Sequence, residues 1–551
     1  MFYKEDEGQF SLEKGSSFSS TLDLVPMVLP PQGINLPYKI LFKVNSLVQH
    51  GCLPGVALDH KFFRLVDPTR IKLEYIESAL DKLFHLKDCC HDPLKWLSTQ
   101  YVNYEKRGQI PQMPTIALDE GLVYIHRVQI TPTKVYFCGP EINLSNRVLR
   151  NYPKDIDNFL RVSFVDEDLD GLHSNGLSFH PACSKGKGRT RVYDRILSVL
   201  RNGIVIGDKK FEFLAFSSSQ LKEGSAWMFA SRDGLTAEDI RKWMGDFCNI
   251  RIVAKYSARL GQSFSSSRET LTVGKHEVEW IPDIEIQKGG NKYCFSDGIG
   301  KISEDFAKQV AAKCGLNRFT PSAFQIRYGG YKGVVAVDPT SSMKLSLRDS
   351  MCKYQSENKK LDVLAWSKYQ PCFLNRQLIT LLSTLGVKDH VFERKQKEAV
   401  TRLDAILTDP LRAQNELQLM FPGEITNVLK EMLSCGYRPD EEPFLAMMLQ
   451  TLHASKLLEI RTKTKIYIPR GRSMMGCLDE TGTLEYGQVF LQCSARQLCT
   501  LSWEQFTVKG KVVVGKNPCL HPGDIRVLSA VDVPELRHMV DCIVFPQKGK
   551  R

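Results

Sequence analysis

Short apolar runs recur at helical spacing through residues 35–99, as in IESALDKLFHL, where Ile76, Leu80 and Leu83 share one face. The pattern then switches to alternation. LVYIHRVQITPTKVYFCGPEI (122–142) and FLRVSFV (159–165) are rich in β-branched and aromatic residues and predict strands. VYDRILSVLRNGIVIGDKKFEFLAF (192–216) predicts a helix, a turn and a strand. Residues 236–285 begin helical and become polar, so SFSSSRET (263–270) is expected to be a linker. From Trp280 to about Val337 the chain is β-rich and punctuated by glycine. KQKEAVTRLDAIL, EITNVLKEML and PFLAMMLQTLHASKLLEI predict helices within 361–462, and short strands return from Lys465. Residues 1–34 carry GSSFSS and VLPPQG without a period and predict an irregular start.

The 551 residues exceed a single core and predict about three or four structural units. No apolar run approaches the ~18 residues that span a bilayer. The opening MFYKEDEGQF is charged, unlike a secretory leader. Sixteen scattered cysteines, with no C-x-x-C, lack zinc-ribbon or redox-dithiol spacing and fit a reducing compartment. The expected location is therefore intracellular, nucleus or cytoplasm, with no membrane partner. A formal charge of +12 favours polyanionic partners without proving one.

Three stretches invite chemistry. In VSFVDEDLDGLHSN (162–175), Asp166, Asp168 and Asp170 alternate, but the twelfth position of a calcium loop is Leu177 rather than Glu. As a D-x-D-G-D magnesium loop it fails at Leu172, leaving the reading of a polar turn that ends a strand. GKVVVGKN (510–517) matches G-x-x-x-x-G-K, yet KVVV forms strands, Asn517 replaces the magnesium-binding hydroxyl, and Pro518 follows. It is not an NTPase loop. In SKGKGRTRVYDR (184–195), Lys185, Lys187, Arg189 and Arg191 offer cations among glycines. Contact with an RNA backbone, a solvated loop and a nuclear-import signal all remain open readings there.

FSDGIGKIS, FQIRYGGYKGVVAVDP, LDETGTLEYGQVF and VVVGKNPCLHPGDIRVL place glycine, or a Pro/Gly turn, between β-runs. That pattern predicts tight corners in small barrels with crossing strands. Lys332 stands between Gly330 and Gly333, and Lys516 beside Asn517. A lysine on a rigid turn is a suitable point charge for a triphosphate, and a purely structural role fits the same pattern.

Together with FLAFSSSQLKEGSAWMF, LDVLAWSKYQPCFLNRQLITLL and GRSMMGCLDETGTLEYGQVF, these segments resemble the cell-encoded RNA-dependent RNA polymerases of RNA silencing, the plant type-1 branch above all. The resemblance runs from about residue 25 to the last residue. It implies an α+β multidomain chain with two double-psi β-barrels joined by a helical unit. Its expected division is 1–34 irregular; 35–285 a mixed α/β, template-side region; 286–385 the first barrel; 386–462 helical; and 463–551 the second barrel. Lys332 and Lys353, the latter in SLRDSMCKY, would contact NTP phosphate, and Lys516 and Asn517 the ribose or phosphate. Asp349 stands where the family commonly has proline.

The same resemblance implies a nucleotidyltransferase that copies single-stranded RNA into double-stranded RNA from NTPs, alongside the silencing machinery in siRNA production and antiviral defence. The family holds catalytic Mg2+ on a D-x-D-G-D loop that does not occur in these 551 residues. The expectation is accordingly a chain truncated at both ends, with an incomplete second barrel that binds no metal stably and is inactive alone. The rival expectation is an RNA-binding fragment that modulates a full-length polymerase.

Overall fold

The computed structural model describes residues 27–86, 88–108, 121–173, 177, 190–420, 424–496 and 503–549. The chain divides into two compact units, and the first is discontinuous: to Met1–Thr272 it adds Arg327–Tyr331 and Cys352–Leu364.

In the first unit, the helices Tyr38–Gln49, His60–Leu65, Leu73–Phe84 and Pro93–Arg107 form where the apolar spacing predicts them. Asp59 and Asp92 cap two of them by accepting from Phe62 and Lys95 N–H groups. Their apolar faces close on a six-stranded sheet of β1 (Leu122–Ile130), β2 (Val135–Leu144), β3 (Phe159–Phe164), β4 (Ile204–Ile206), β5 (Lys209–Ala215) and β6 (Ser225–Ala230). The order is β2-β1-β3-β6-β5-β4, with β3 parallel to β1. One face buries Val128, Leu160, Val162 and Met228 against these helices. The other buries Phe159, Trp227 and Phe229 against Ile240, Met244 and Phe264.

SFSSSRET is no linker. Phe264 is 2% exposed and stacks on Trp227 with ring centroids 5.9 Å apart. Gly261 lies so close that a Cβ there would sit 1.9 Å from the Phe216 carbonyl oxygen. The segment continues as β7 (Arg268–Thr272). Ser267 is tied in by Arg150, accepting from Nη1 at its carbonyl at 2.5 Å and from Nη2 at its Oγ at 2.9 Å. Polar composition alone cannot separate such a tie from a solvated linker.

The second unit contains β8 (Val278–Trp280), β9 (Glu285–Lys288), β10 (Asn291–Cys294) and β11 (Ile299–Ser303). β12 (Ala323–Tyr328), β13 (Tyr331–Asp338), β14 (Leu345–Leu347) and β15 (Lys360–Trp366) follow, with the unit boundary running through β12, β13 and β15. β11 pairs parallel with β13 and antiparallel with β14, which runs parallel to β8. Between them lies a helix the glycine-punctuated pattern hid, Glu304–Lys313. It buries Phe306, Ala307, Val310 and Ala311, and its acidic first turn and Lys313 suit the helix dipole.

β16 (Pro371–Leu374) pairs with β17 (Ile466–Arg472), bracketing the helices Arg376–Thr384, Asp389–Ala405, Pro410–Met420, Glu424–Ser434 and Pro443–Lys463. A last sheet comprises β18 (Met475–Leu478), β19 (Gln488–Arg496), β20 (Trp503–Thr507), β21 (Gly510–Gly515), β22 (Ile525–Ala530) and β23 (Cys542–Phe545). Its order is β18-β23-β19-β22-β21, with β20 on β19. Ile299, Ala323 and Ala336 share one core with Cys477, Phe490, Cys542 and Val544. The fold is α+β, with mixed parallel and antiparallel curled sheets. No helix among the described residues is long and apolar enough to cross a membrane.

Candidate nucleotide-binding site

The glycines around Lys332 mark a crossing of backbones, not a corner. A Cβ on Gly330 would lie 1.6 Å from the Tyr354 carbonyl oxygen, and one on Gly333 would lie 2.1 Å from that of Gly298. Neither glycine has a positive φ; the turn glycines here are Gly298 and Gly329. Lys332, half-buried at the start of β13, is therefore carried on backbone fixed on either side. Lys353 is also half-buried, and its N–H donates to the Gly330 carbonyl at 3.0 Å. Its neighbour Tyr354 is 7% exposed and packs on Phe247, centroids 4.7 Å apart.

The SLRDSMCKY segment is anchored by the residues flanking Asp349. Arg348 donates from Nη1 to the Ile299 carbonyl at 2.9 Å and from Nε to that of Pro282 at 3.1 Å. Its Nη2 reaches Glu480. Ser350 donates from N and Oγ to Asp283 at 2.8 and 2.7 Å. Burial alone would raise the Asp283 carboxyl, but hydrogen bonds from Ser296 and Ser350 override it and hold it below the ordinary carboxylate range. Asp349 itself opens a single 3-10 turn, Asp349–Met351, so proline is not needed there.

Glu480 belongs to the LDETGTLEYG turn, which closes on fully buried Asp479. That carboxylate accepts from the Thr481 and Leu484 N–H groups at 3.0 and 2.7 Å. Lys301 lies 3.0 Å from Asp338 and 3.7 Å from Glu480, completing a charged cluster beneath the glycine-cornered segments.

Lys516 and Asn517 follow β21, which pairs antiparallel with β22, so GKVVVGKN is strand and loop. Both side chains are exposed. The loop returns on Asp524, whose carboxylate accepts from the Leu520 and His521 N–H groups at 2.9 and 3.1 Å and faces Lys516 Nζ at 3.5 Å. Those backbone hydrogen bonds, aided by Lys516, lower the Asp524 carboxyl. Lys332 and Lys516 thus stand on two different sheets of the second unit.

Asp524, Glu480 and Arg348 were not singled out from sequence. Glu480 and Asp524 lie inside the glycine-cornered segments and Arg348 in SLRDSMCKY, but no spacing rule pairs Arg348 with Glu480 across 132 residues. Lys185, Lys187 and Arg189 lie outside the described residues. Arg191 begins the helix Arg191–Asn202, capped by Thr190.

The acidic stretch is a closed turn. Asp166 Oδ1 accepts from the Asp168 and Asp170 N–H groups at 3.0 and 2.8 Å, and Val165 bridges Gly171. Among the described residues no group of three or more His, Cys, Asp or Glu side chains is placed to hold a metal ion.

Two family models match: "RNA dependent RNA polymerase" over residues 130–551 and "RNA dependent RNA polymerase, helical domain" over 26–110. The chain belongs to the RNA-dependent RNA polymerase family. It is 65% identical over 543 residues to RNA-dependent RNA polymerase 1 of Arabidopsis thaliana, covering 98% of this chain and 48% of that protein. It is 66% identical over 417 residues to probable RNA-dependent RNA polymerase 1 of Oryza sativa subsp. japonica, covering 76% of this chain and 56% of that protein. The chain thus spans about half the length of these curated relatives. Among solved structures, the RNA dependent RNA polymerase QDE-1 from Thielavia terrestris matches in fold with a TM-score of 0.62 at 18% identity, over 86% of this chain and 59% of that one.

Proposed function

We propose that this chain forms the nucleotide- and template-side part of an RNA-directed RNA polymerase that copies single-stranded RNA into double-stranded RNA for gene silencing. The observation that carries the reading is 65% identity over 98% of the chain to a protein of that name. In this reading the two curled sheets are double-psi β-barrels. Lys332 and Lys353 neutralise the NTP phosphates, while Lys516 and Asn517 contact ribose or phosphate. Rigid backbone at the Gly330 and Gly333 crossings favours such contacts, because a pre-positioned ammonium loses little freedom on binding. The carboxylates that hold Mg2+ in the family do not occur as D-x-D-G-D here, and lysines cannot replace the oxygen shell that magnesium prefers.

The 551 residues alone therefore bind RNA and NTPs without joining nucleotides, which is also the state of a modulating fragment. A primer-extension assay with Mg2+ and NTPs, run beside an RNA titration at several salt concentrations, tests both. Binding without incorporation is expected. Magnesium-dependent synthesis abolished by Lys332→Ala contradicts the inactivity, and no binding of RNA or NTP contradicts the function.

A further inference from the structure

The helix Pro443–Lys463 of the second unit is apolar on two sides. On one side Leu445 and Leu449 share a core with Leu417, Leu429 and Leu433 of neighbouring helices. The other side carries Phe444, Met447, Thr451, Ala454 and Leu458, all exposed, with Phe444 at 46%, Met447 at 55% and Leu458 at 57%. A helix that is apolar all round is ordinarily covered on every side. This one leaves a stripe in solvent along most of its 21 residues.

The stripe recurs at alternating steps of three and four residues, the spacing of a coiled-coil seam, so its natural cover is a second helix. Every exposed residue from Pro443 to Leu458 is uncharged, over a length of about 24 Å. The two cationic types within that span turn aside: His453 lies 2.9 Å from Asp404 and Lys456 2.8 Å from Glu459. A face without cations does not suit a nucleic-acid backbone. The ends carry opposite charges, with exposed Asp440 and Glu441 before the stripe and exposed Arg461 and Lys463 after it. Arg438 already meets both acids at 3.2 Å, but exposed ion pairs of that kind contribute little and exchange readily.

We propose that this stripe is an interface between two copies of this chain, the two helices running antiparallel about a two-fold axis at Thr451. In that register Phe444 faces Leu458 of the partner subunit, and Glu441 faces Arg461 of the partner subunit. The axis repeats both contacts. A parallel pairing would set acid against acid and base against base. One helix pair is small beside a stable interface, which buries about 1,600 Å2 in total, so the dimer forms reversibly and in a concentration-dependent way. The interface is independent of template copying, so loss of polymerisation leaves it standing.

Sedimentation equilibrium of the 551-residue protein, from about 1 to about 100 µM, tests it. A monomer–dimer equilibrium is expected. Met447→Glu with Leu458→Glu weakens association at least tenfold, and the melting curve at the lowest concentration stays unchanged because both side chains face solvent. Glu441→Arg weakens it at least threefold, and adding Arg461→Glu restores it, because each reversed charge then meets its complement across the axis. These two charge variants carry the test if the paired glutamates unfold the protein. A monomer at every concentration overturns the interface, whatever other protein the stripe binds. A dimer that survives the glutamate pair in a folded protein, as one joined through the sheet edge β21 would, overturns it equally. Failure of the reciprocal swap to restore association overturns the antiparallel register.

Discussion

Arg348 Nη2 lies 3.0 Å from both carboxylate oxygens of Glu480, across 132 residues of chain. The guanidinium is 2% exposed and spends its remaining donors on the Pro282 and Ile299 carbonyls. One side chain therefore ties the turn after β14 to the turn after β18. Removing the carboxylate strands a buried cation, which costs more than the pair contributes.

Glu480→Ala is accordingly expected to lower stability by about 3 kcal/mol, toward the low end for buried pairs because Glu480 keeps some solvent contact. Replacing both partners by Met and Leu should recover part of that loss. Urea unfolding of the single and paired variants reads the difference.

The crossing at Gly333 predicts a sharp steric effect. Gly333→Ala sets a Cβ 2.1 Å from the Gly298 carbonyl and should cost more than ~3 kcal/mol, or prevent soluble expression. Gly171→Ala, with nothing within 4 Å, should stay within ~0.5 kcal/mol of wild type. Similar melting temperatures for the two proteins would refute the close approach.

Lys332→Ala is expected to weaken NTP binding about tenfold, the loss of one charge-assisted contact, with the melting temperature unchanged. A fluorescent-nucleotide titration checks this. A drop in melting temperature with unaltered affinity would assign the lysine to structure instead.

His126 supplies a pH dependence. Burial lowers its pKa from 6.5 to about 4 against the opposing charge of Asp157, with the edges of the Tyr38 and Phe42 rings around it. The unfolded chain binds this proton near pH 6.5 and the folded chain only near pH 4, so stability falls as pH drops through that window. The loss is about 3 kcal/mol at most. His126→Phe should flatten the melting temperature between pH 6.5 and 4; an unchanged slope would place its origin elsewhere.

The helices of residues 38–107 and 389–463 and the strands β1, β2, β3 and β5 were legible because burial imposes its period on the sequence. The short β4 fell in a stretch that predicts a turn, and β6, buried along its whole length, carries no alternation. The helix Glu304–Lys313 was hidden among glycine-flanked strands, although Phe306, Ala307, Val310 and Ala311 carry helical spacing. Phe264 was misread because four serines flank it within one short stretch, while its ring is buried by Trp227 from another strand. Lys332 and Lys516 stand out in the sequence by the glycines beside them, and Lys353 only by the resemblance. The pairing of Arg348 with Glu480 was not legible, since local pattern carries no record of a partner brought in by the fold.

Asp362 bears on how the polypeptide matures. It is 1% exposed and receives Arg147 Nε at 2.5 Å and Arg150 Nη2 at 2.7 Å, while Arg147 also donates to the Gly329 and Arg327 carbonyls. The first unit thus borrows its central counter-ion from a stretch that the ribosome delivers some two hundred residues after those arginines emerge. Until then both guanidiniums wait without that anion, and severing the chain after Thr272 would leave them so for good.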